Sequence, residues 1–220
     1  MTAIKERGIL FSAPMVRALL DGRKTVTRRA VKQQPDVPVC DAIPKRNFPH
    51  GRPTADWYWR PQHGHLNGVP SQGWDFRCPY GQPGDRLWVR EAWAADAQLD
   101  AVAPRDLSQG EPILYPADGV TRTSGCSMIS QGRGRPSIHM PRWASRILLE
   151  ITDVRVERLQ DVSEEQSEAE GVDFLRAAPD FDETLTAKQL YEILWDHING
   201  AGAWDANPWV WVVEFKRVMP

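Results

Sequence analysis

The sequence predicts an α+β fold in which helices decorate a small mixed β-barrel. Segments with the composition of short strands outnumber the helix signals along the chain. Strand–helix–strand repeats, which build doubly wound parallel sheets, are few. The closing residues, 209–218, are rich in Trp, Val and Phe and give a strong strand signal. We therefore expect residues 1–220 to form a single domain.

The first predicted elements are a strand, a helix and a second strand. Residues 9–11 are apolar, and Ser12 can cap the helix that follows them. Pro14 suits the first turn of this helix, and Gly22 suits its end. The β-branched residues within 25–31 then predict a strand.

Two later stretches lack the periodicity of a helix or a strand. Residues 33–83 are rich in Pro, Gly and aromatic residues, and residues 95–135 are rich in Gly, Ser and Arg. We interpret both as long irregular insertions, because loops of this length are usually functional or disordered. Aromatic residues predict that the first insertion is partly packed down. They are Trp57, Tyr58, Trp59 and Trp74.

Strand signals return between and after these insertions. Residues 86–93 follow a Gly84-Asp85 turn and alternate in the manner of a strand. Residues 144–159 fit one long strand or two strands joined by a bend.

Two helices are predicted in the last third of the chain. Ser163 and Gln166 have the spacing of a capping box, so we expect a short helix that ends near Glu170. Thr186 and Gln189 repeat this spacing at the start of a helix that ends near residue 198.

The overall charge does not indicate a nucleic-acid-binding protein. Lys and Arg number 27 against 29 Asp and Glu, which gives a formal net charge of −2. Residues 5–60 are basic and residues 161–192 are acidic, so any nucleic acid would have to meet a local patch. The ten Trp residues fit either a core or stacking on bases.

The cysteines and the absence of targeting signals predict a cytoplasmic protein. Cys40, Cys78 and Cys126 are odd in number and widely spaced, which argues against a disulfide framework. No charged-then-apolar leader and no run of transmembrane length is found, so we expect no membrane partner.

The sequence predicts no metal and no cofactor. Cysteines and histidines of the first insertion lack the usual zinc spacings, although the last two histidines could ligate a metal from a strand. They are Cys40, Cys78, His50, His63 and His65. P-loop, dinucleotide-binding and nucleophile-elbow motifs are also absent.

The octet 22–29 is the strongest candidate for chemistry, with four cationic residues and two threonines. Lysine can activate a threonine hydroxyl when burial and neighbouring cations lower the lysine pKa. Lys24 and Thr27 would lie on opposite faces of a straight strand. They converge only if the chain is still turning at Lys24, which Gly22 makes feasible. The alternative is a solvated basic turn that leads into a strand.

Two glutamates are further candidates. Glu170, at the end of a predicted helix, is poorly placed for the helix dipole, which suggests a cationic partner such as Lys24 or an arginine. The alternative is an ordinary exposed acidic residue. Glu91 would read a ligand amino group from an inner barrel face, or else form a surface ion pair.

Several of these segments resemble the ASCH domain family, whose fold is PUA-like. The resemblance rests on residues 22–29, on the Gly84-Asp85 turn with Leu87 and Val89, and on residues 159–171 and 209–218. It covers about half of the chain and looks like the longer phage- and prophage-associated members. Both insertions lie outside it.

The resemblance implies an amidohydrolase. Small bacterial members of the family remove the acetyl group from N4-acetylcytidine with a Lys, a Thr and a Glu. By motif, these residues fall on Lys24, Thr27 and Glu170. The Thr27 hydroxyl would attack the amide carbonyl, Lys24 would transfer the proton to the leaving amino group, and Glu170 would orient Lys24 or the substrate amide.

The same resemblance implies the residues that bind substrate. Arg28 or Arg29 would stabilise the oxyanion or hold a phosphate. Trp88 or Trp93 would stack on the base.

A second hypothesis is a module that binds RNA or modified nucleic acid, or a ribonuclease, without amidase activity. Other family members are thought to bind or cut RNA. This hypothesis predicts a basic track from Arg17 through Arg28 to Arg133 and Arg135. A third, a structural phage protein, predicts neither activity nor binding, and the oligomeric state is not predicted.

Overall fold

The computed structural model describes residues 4–36, 38–44, 56–61, 75–123, 125–177 and 184–219. Within them the chain is mixed α and β. The helices are α1 (Ala13–Leu20), α2 (Glu164–Ala169) and α3 (Ala187–Asn199). The strands are β1 (Glu6–Leu10), β2 (Val26–Ala30), β3 (Val39–Pro44), β4 (Trp57–Pro61), β5 (Asp75–Phe76), β6 (Arg86–Arg90), β7 (Ile113–Tyr115), β8 (Val120–Arg122), β9 (Leu148–Arg158) and β10 (Trp209–Val218).

The largest sheet has five strands in the order β1-β6-β9-β10-β2. β1 pairs with β6 in parallel, while β6 with β9 and β10 with β2 are antiparallel pairs. A barrel closes only when the two edge strands pair with each other. Among the described residues β1 and β2 do not pair, so this sheet is not the small mixed β-barrel that the sequence predicts. The mixed α and β content agrees with the predicted α+β class.

The chain divides into two compact units, each assembled from separate segments. The first unit comprises Met1–Thr25, Gly84–Ile151 and Phe215–Pro220. The second comprises Val26–Pro83 and Thr152–Glu214.

In the first unit, α1 forms and ends as its sequence predicts. Pro14 lies in its first turn, and Gly22 follows it at φ 75°, in the left-handed region that a glycine enters without strain. Ser12 occupies the N-cap position, although its side chain does not accept the capping hydrogen bond. The helix buries Met15, Val16, Ala18 and Leu19.

The second insertion is also part of the first unit, and it is not irregular throughout. β7 and β8 form a two-stranded sheet, and Ile113 and Tyr115 on β7 are fully buried. Asp96 joins the segment before this sheet to the segment after it, because its carboxylate accepts backbone N–H groups of Gln98, Ile129 and Ser130. Each of these strands has only three residues. An alternating pattern of that length cannot be recognised in a segment rich in Gly and Ser.

In the second unit, α2 and α3 begin with capping boxes. The Ser163 and Thr186 side chains each accept the N–H of the third helical residue, and both predicted boxes are confirmed. α3 contributes its apolar face to a core that includes Val26 on β2 and two valines on β10. Its buried residues are Ala187, Leu190, Tyr191 and Trp195.

The first insertion also contains a sheet, of order β3-β4-β5, in the second unit. Trp57 and Trp59 alternate with Tyr58 on β4, so one face of this strand is aromatic and buried. Trp59 stacks on Phe76 at 4.3 Å, and Trp57 meets Trp211 on β10 at 5.4 Å. The prediction that the first insertion is partly packed down is confirmed for Trp57 and Trp59. The prediction that the insertion is irregular is wrong for the residues that form β3, β4 and β5.

The remaining predictions concern strand limits and membrane helices. Residues 148–158 form one continuous strand, β9. β6 ends at Arg90, so Glu91 and Trp93 follow the strand instead of lying in it. No helix in the described part of the chain is long and apolar enough to cross a membrane.

Candidate functional site

Lys24 lies in the turn between α1 and β2, in the first unit. Its backbone N–H donates to the Ala18 carbonyl at 3.0 Å, so the chain is still turning there, as convergence with Thr27 requires. The Lys24 side chain is not solvated, because the residue is 4% exposed and its Nζ lies 5.4 Å from the centroid of the Phe11 ring. A solvated basic turn therefore does not describe this lysine.

Thr27 lies on β2, in the second unit, and is 3% exposed. Its cross-strand partner on β10 is Val213, and that of Arg29 is Trp211. Successive side chains of a strand point to opposite faces, so Thr27 and Arg29 share one face while Arg28 points to the other.

The other face of β2 carries a buried ion pair. Arg28 Nη1 donates to Glu170 Oε1 at 3.4 Å, and Arg28 Nη2 donates to Gln166 Oε1 at 2.7 Å. Glu157 approaches the same guanidinium at 3.6 Å. The Arg28 side chain is 0% exposed and that of Glu170 is 5% exposed. The expectation of a cationic partner for Glu170 is confirmed, and one such partner is Arg28.

Tyr191 on α3 completes the cluster around Glu170. Burial raises the pKa of Tyr191 well above its usual value, and a hydrogen bond with Glu170 adds to the rise. The hydroxyl therefore stays protonated and donates to the carboxylate. Sequence reasoning missed Tyr191 and Gln166; the available signal was the position of Tyr191 on the apolar face of an amphipathic helix.

Glu91 is part of a second charged cluster, in the first unit. Arg146 donates to both Glu91 carboxylate oxygens at 2.9 Å and to Asp118 Oδ2 at 2.7 Å. Burial raises the pKa of Glu91, although the hydrogen bonds from Arg146 oppose the rise. The Glu91 side chain is only 1% exposed and that of Arg146 is 15% exposed, so Glu91 does not form the surface ion pair that the sequence left as an alternative. Arg146 lies 55 residues away in sequence, where no local pattern points to it.

The two candidate stacking residues, Trp88 and Trp93, lie in the first unit and both contact arginines. The Arg90 guanidinium lies 4.4 Å from the centroid of the Trp88 ring, and Arg135 lies 5.2 Å from that of Trp93. Trp93 has no exposed surface, whereas Trp88 is 9% exposed. A base could stack on Trp93 only if the core around it opened.

The predicted metal-binding residues are described only in part. Cys40 is exposed and Cys78 is buried, while His50, His63 and His65 lie outside the described residues. Among the residues that are described, no three His, Cys, Asp or Glu side chains cluster as a metal site would require.

Comparisons with known proteins leave the resemblance as a prediction. No protein-family model, no curated protein and no solved structure matches this chain.

Proposed function

We propose that this chain is an amidohydrolase of N4-acylated cytidine or a related modified nucleoside, on a PUA-like fold of the ASCH type. The observation that carries the proposal is the burial of Lys24, Thr27 and Glu170, each at most 4% exposed. Excluding an amine and a carboxylate from water is costly, and ionisable groups held in this way are concentrated at functional sites. The solvated alternatives for Lys24 and Glu170 therefore have no support.

In this mechanism the Thr27 Oγ1 attacks the exocyclic amide carbonyl. Lys24 accepts the hydroxyl proton and transfers it to the nitrogen of the leaving amino group as the carbon–nitrogen bond breaks. Water then hydrolyses the acyl ester on Thr27, which releases the acid and restores the hydroxyl. A positioned base of this kind contributes about 10²–10⁴-fold to the rate.

Glu170 has an orienting role. Because Arg28 points to the face of β2 opposite to Thr27 and holds Glu170 there, we assign the carboxylate to orienting Lys24, and not to the Thr27 hydroxyl or the amide that it attacks. Thr27 comes three positions after Lys24, so the chain itself keeps their Cα atoms within about 11 Å.

The test is hydrolysis of N4-acetylcytidine by the wild-type chain and by single variants. Lys24→Ala and Thr27→Val are each expected to lower the rate at least 100-fold without unfolding, because each removes a group that takes part in proton transfer or attack. Thr27→Ser, which keeps a hydroxyl, retains measurable activity. Arg23→Ala is the matched control, since Arg23 belongs to the same octet but is exposed.

Full activity in Thr27→Val would remove threonine as the nucleophile. An inactive wild-type chain whose circular dichroism shows it to be folded would reject the amidohydrolase altogether.

The structure does not favour the alternative of a nucleic-acid-binding module based on the predicted basic track. Arg28 is 3% exposed and Arg135 is 4% exposed. Arg135 donates to the backbone carbonyls of Val102 and Leu99 at 2.9 and 2.7 Å. Neither guanidinium is placed to meet a phosphate, so two of the four members of the track are unsuited to it.

A further inference from the structure

The second unit contains a cavity of 590 Å³ beside the end of β2. Its volume falls within the range of about 300–1,000 Å³ that is typical of small-molecule sites. The lining combines aromatic, apolar and charged side chains. They are Ala30, Val31, Lys32, Gln33, Asp75, Phe76, Arg77, Pro79, Tyr80 and Trp211.

Three aromatic rings give the cavity a wall suited to a flat ligand. Phe76 and Trp211 contact each other at 5.3 Å and are nearly buried, so they present only small apolar surfaces. Tyr80 keeps more of its surface exposed and offers the larger ring area. Burial raises the pKa of Tyr80, against the opposing charge of Arg29, so its hydroxyl stays a hydrogen-bond donor at neutral pH.

The charged residues of the lining favour an anion. Lys32 and Arg77 carry two positive charges against the single negative charge of Asp75. Arg77 has a long ion pair of 3.8 Å with Asp56, in which both side chains are well exposed, so the pair holds the guanidinium only weakly. Gln33 adds an amide that can both donate to and accept from the edge of a base.

The cavity belongs to the Thr27 face of β2. Trp211 is the cross-strand partner of Arg29, and Arg29 shares its strand face with Thr27. Residues 75–80 come from the first insertion, which lies outside the resemblance to the ASCH family. The cavity is therefore a property of this chain and does not follow from the resemblance.

We propose that this cavity binds a nucleoside 5′-phosphate, either free or as one unit of a strand. The base stacks on Tyr80 beside the small exposed surface of Phe76, and the phosphate lies between Lys32 and Arg77. Flat rings recognise any base through stacking, and a lysine with an arginine supplies the charge that a phosphate requires. This binding does not depend on the proposed amidohydrolase, and it goes beyond that activity.

The first experiment is isothermal titration calorimetry of the full chain with cytidine 5′-monophosphate, cytidine and inorganic phosphate. We expect the monophosphate to bind at least tenfold more tightly than cytidine or phosphate alone, because only it fills both parts of the cavity. Absence of binding at millimolar monophosphate overturns the proposal. Equal affinity for the monophosphate and for phosphate also overturns it, since the base would then have no site.

Variants assign the binding to this cavity. Lys32→Gln/Arg77→Gln should lower the affinity for the monophosphate at least tenfold and leave the affinity for cytidine unchanged. Tyr80→Leu should lower both affinities. Lys5→Gln/Arg105→Gln is the matched control, because it removes the same charges from exposed positions of the first unit. Unchanged affinity in both cavity variants, with native circular dichroism, overturns the assignment.

Two further arms distinguish the source of the nucleotide and separate this proposal from the enzymatic one. Affinity for a pentacytidylate at least tenfold above that for the monophosphate supports a strand as the ligand, and equal affinity supports the free nucleotide. Thr27→Val should abolish hydrolysis while leaving monophosphate binding intact. Loss of monophosphate binding in a folded Thr27→Val variant would place the nucleotide elsewhere and overturn the cavity proposal.

Discussion

The side chains of Arg28 and Glu170 are both buried, so each stabilises the charge of the other. A single buried charge costs several kcal/mol, and the pair offsets this cost only if its hydrogen bonds are well placed. Gln166 supplies one such bond to Arg28, and Tyr191 supplies one to Glu170. The cluster therefore fixes the position of Glu170 before any substrate binds.

This arrangement predicts that breaking the pair is costly while replacing it is not. Arg28→Met should lower the free energy of unfolding by about 3–5 kcal/mol, because it leaves the Glu170 carboxylate buried without this cation. Arg28→Met/Glu170→Met should recover most of the loss, since an apolar pair of similar volume has no charge to bury. Urea denaturation midpoints at a constant m-value measure both effects.

Arg23 provides the control for this prediction. Its ion pair with Asp21, at 2.8 Å, joins side chains that are 40% and 56% exposed. Arg23→Met should therefore cost less than about 1 kcal/mol. A loss of that small size in Arg28→Met would show that water already solvates Glu170, contrary to the geometry.

Sequence reasoning reaches part of this residue-level arrangement. The need of Glu170 for a cation is predictable, because its place at a helix C-terminus is local information. The identity of the partner is not, since it depends on which face of β2 meets α2. Arg28 and Arg29 are equally plausible until that face is known. The same limit applies to Glu91, whose partner Arg146 is set entirely by tertiary packing.

At the scale of elements, helix ends are predictable where the whole signal spans four residues. Both capping boxes and the glycine after α1 are signals of this kind. β4 is different, because its Trp-Tyr-Trp alternation is short and its partner strands β3 and β5 lie elsewhere in a segment rich in Pro and Gly. Its sheet depends on non-local pairing, which local composition does not reveal.

The two capping boxes differ in one respect that can be measured. Gln166 Oε1 accepts from the Ser163 backbone at 3.2 Å and also from Arg28, whereas Gln189 Oε1 accepts from the Thr186 backbone at 2.9 Å in a box without an arginine. Gln166→Ala should therefore cost more stability than Gln189→Ala, by about 1.5–3 kcal/mol, which is the contribution of a hydrogen bond to a charged group.

The Arg28→Met background isolates this difference. Without the guanidinium, Gln166→Ala and Gln189→Ala should cost the same within about 0.5 kcal/mol, because each then removes one cap. A difference that persists in that background would mean that the two boxes contribute unequally for reasons unrelated to Arg28.

At the scale of the whole molecule, the α+β class follows from local signals, but closure of a barrel does not. Closure requires that β1 and β2 pair, and these strands come early in the chain while their sheet partners β6 and β10 come much later. The exposure of charged side chains, like barrel closure, depends on tertiary structure. The number of arginines can be read from the sequence, but only the fold decides which of them reach solvent.

The exposure of the arginines yields a prediction for nucleic-acid binding by the whole chain. The observed association constant for a single strand falls with salt at a slope of about −0.7 per phosphate contacted, so four arginines would give about −2.8 and two would give about −1.4. Arg28 and Arg135 are buried, whereas Arg17 and Arg133 are exposed. The slope should be no steeper than about −1.4 for a 12-nucleotide strand.

The titration is done on Lys32→Gln/Arg77→Gln, which removes the cations of the cavity. Adding Arg17→Gln and Arg133→Gln should flatten the slope further, and a slope near −2.8 that survives all four substitutions would show a phosphate-binding surface other than the predicted track.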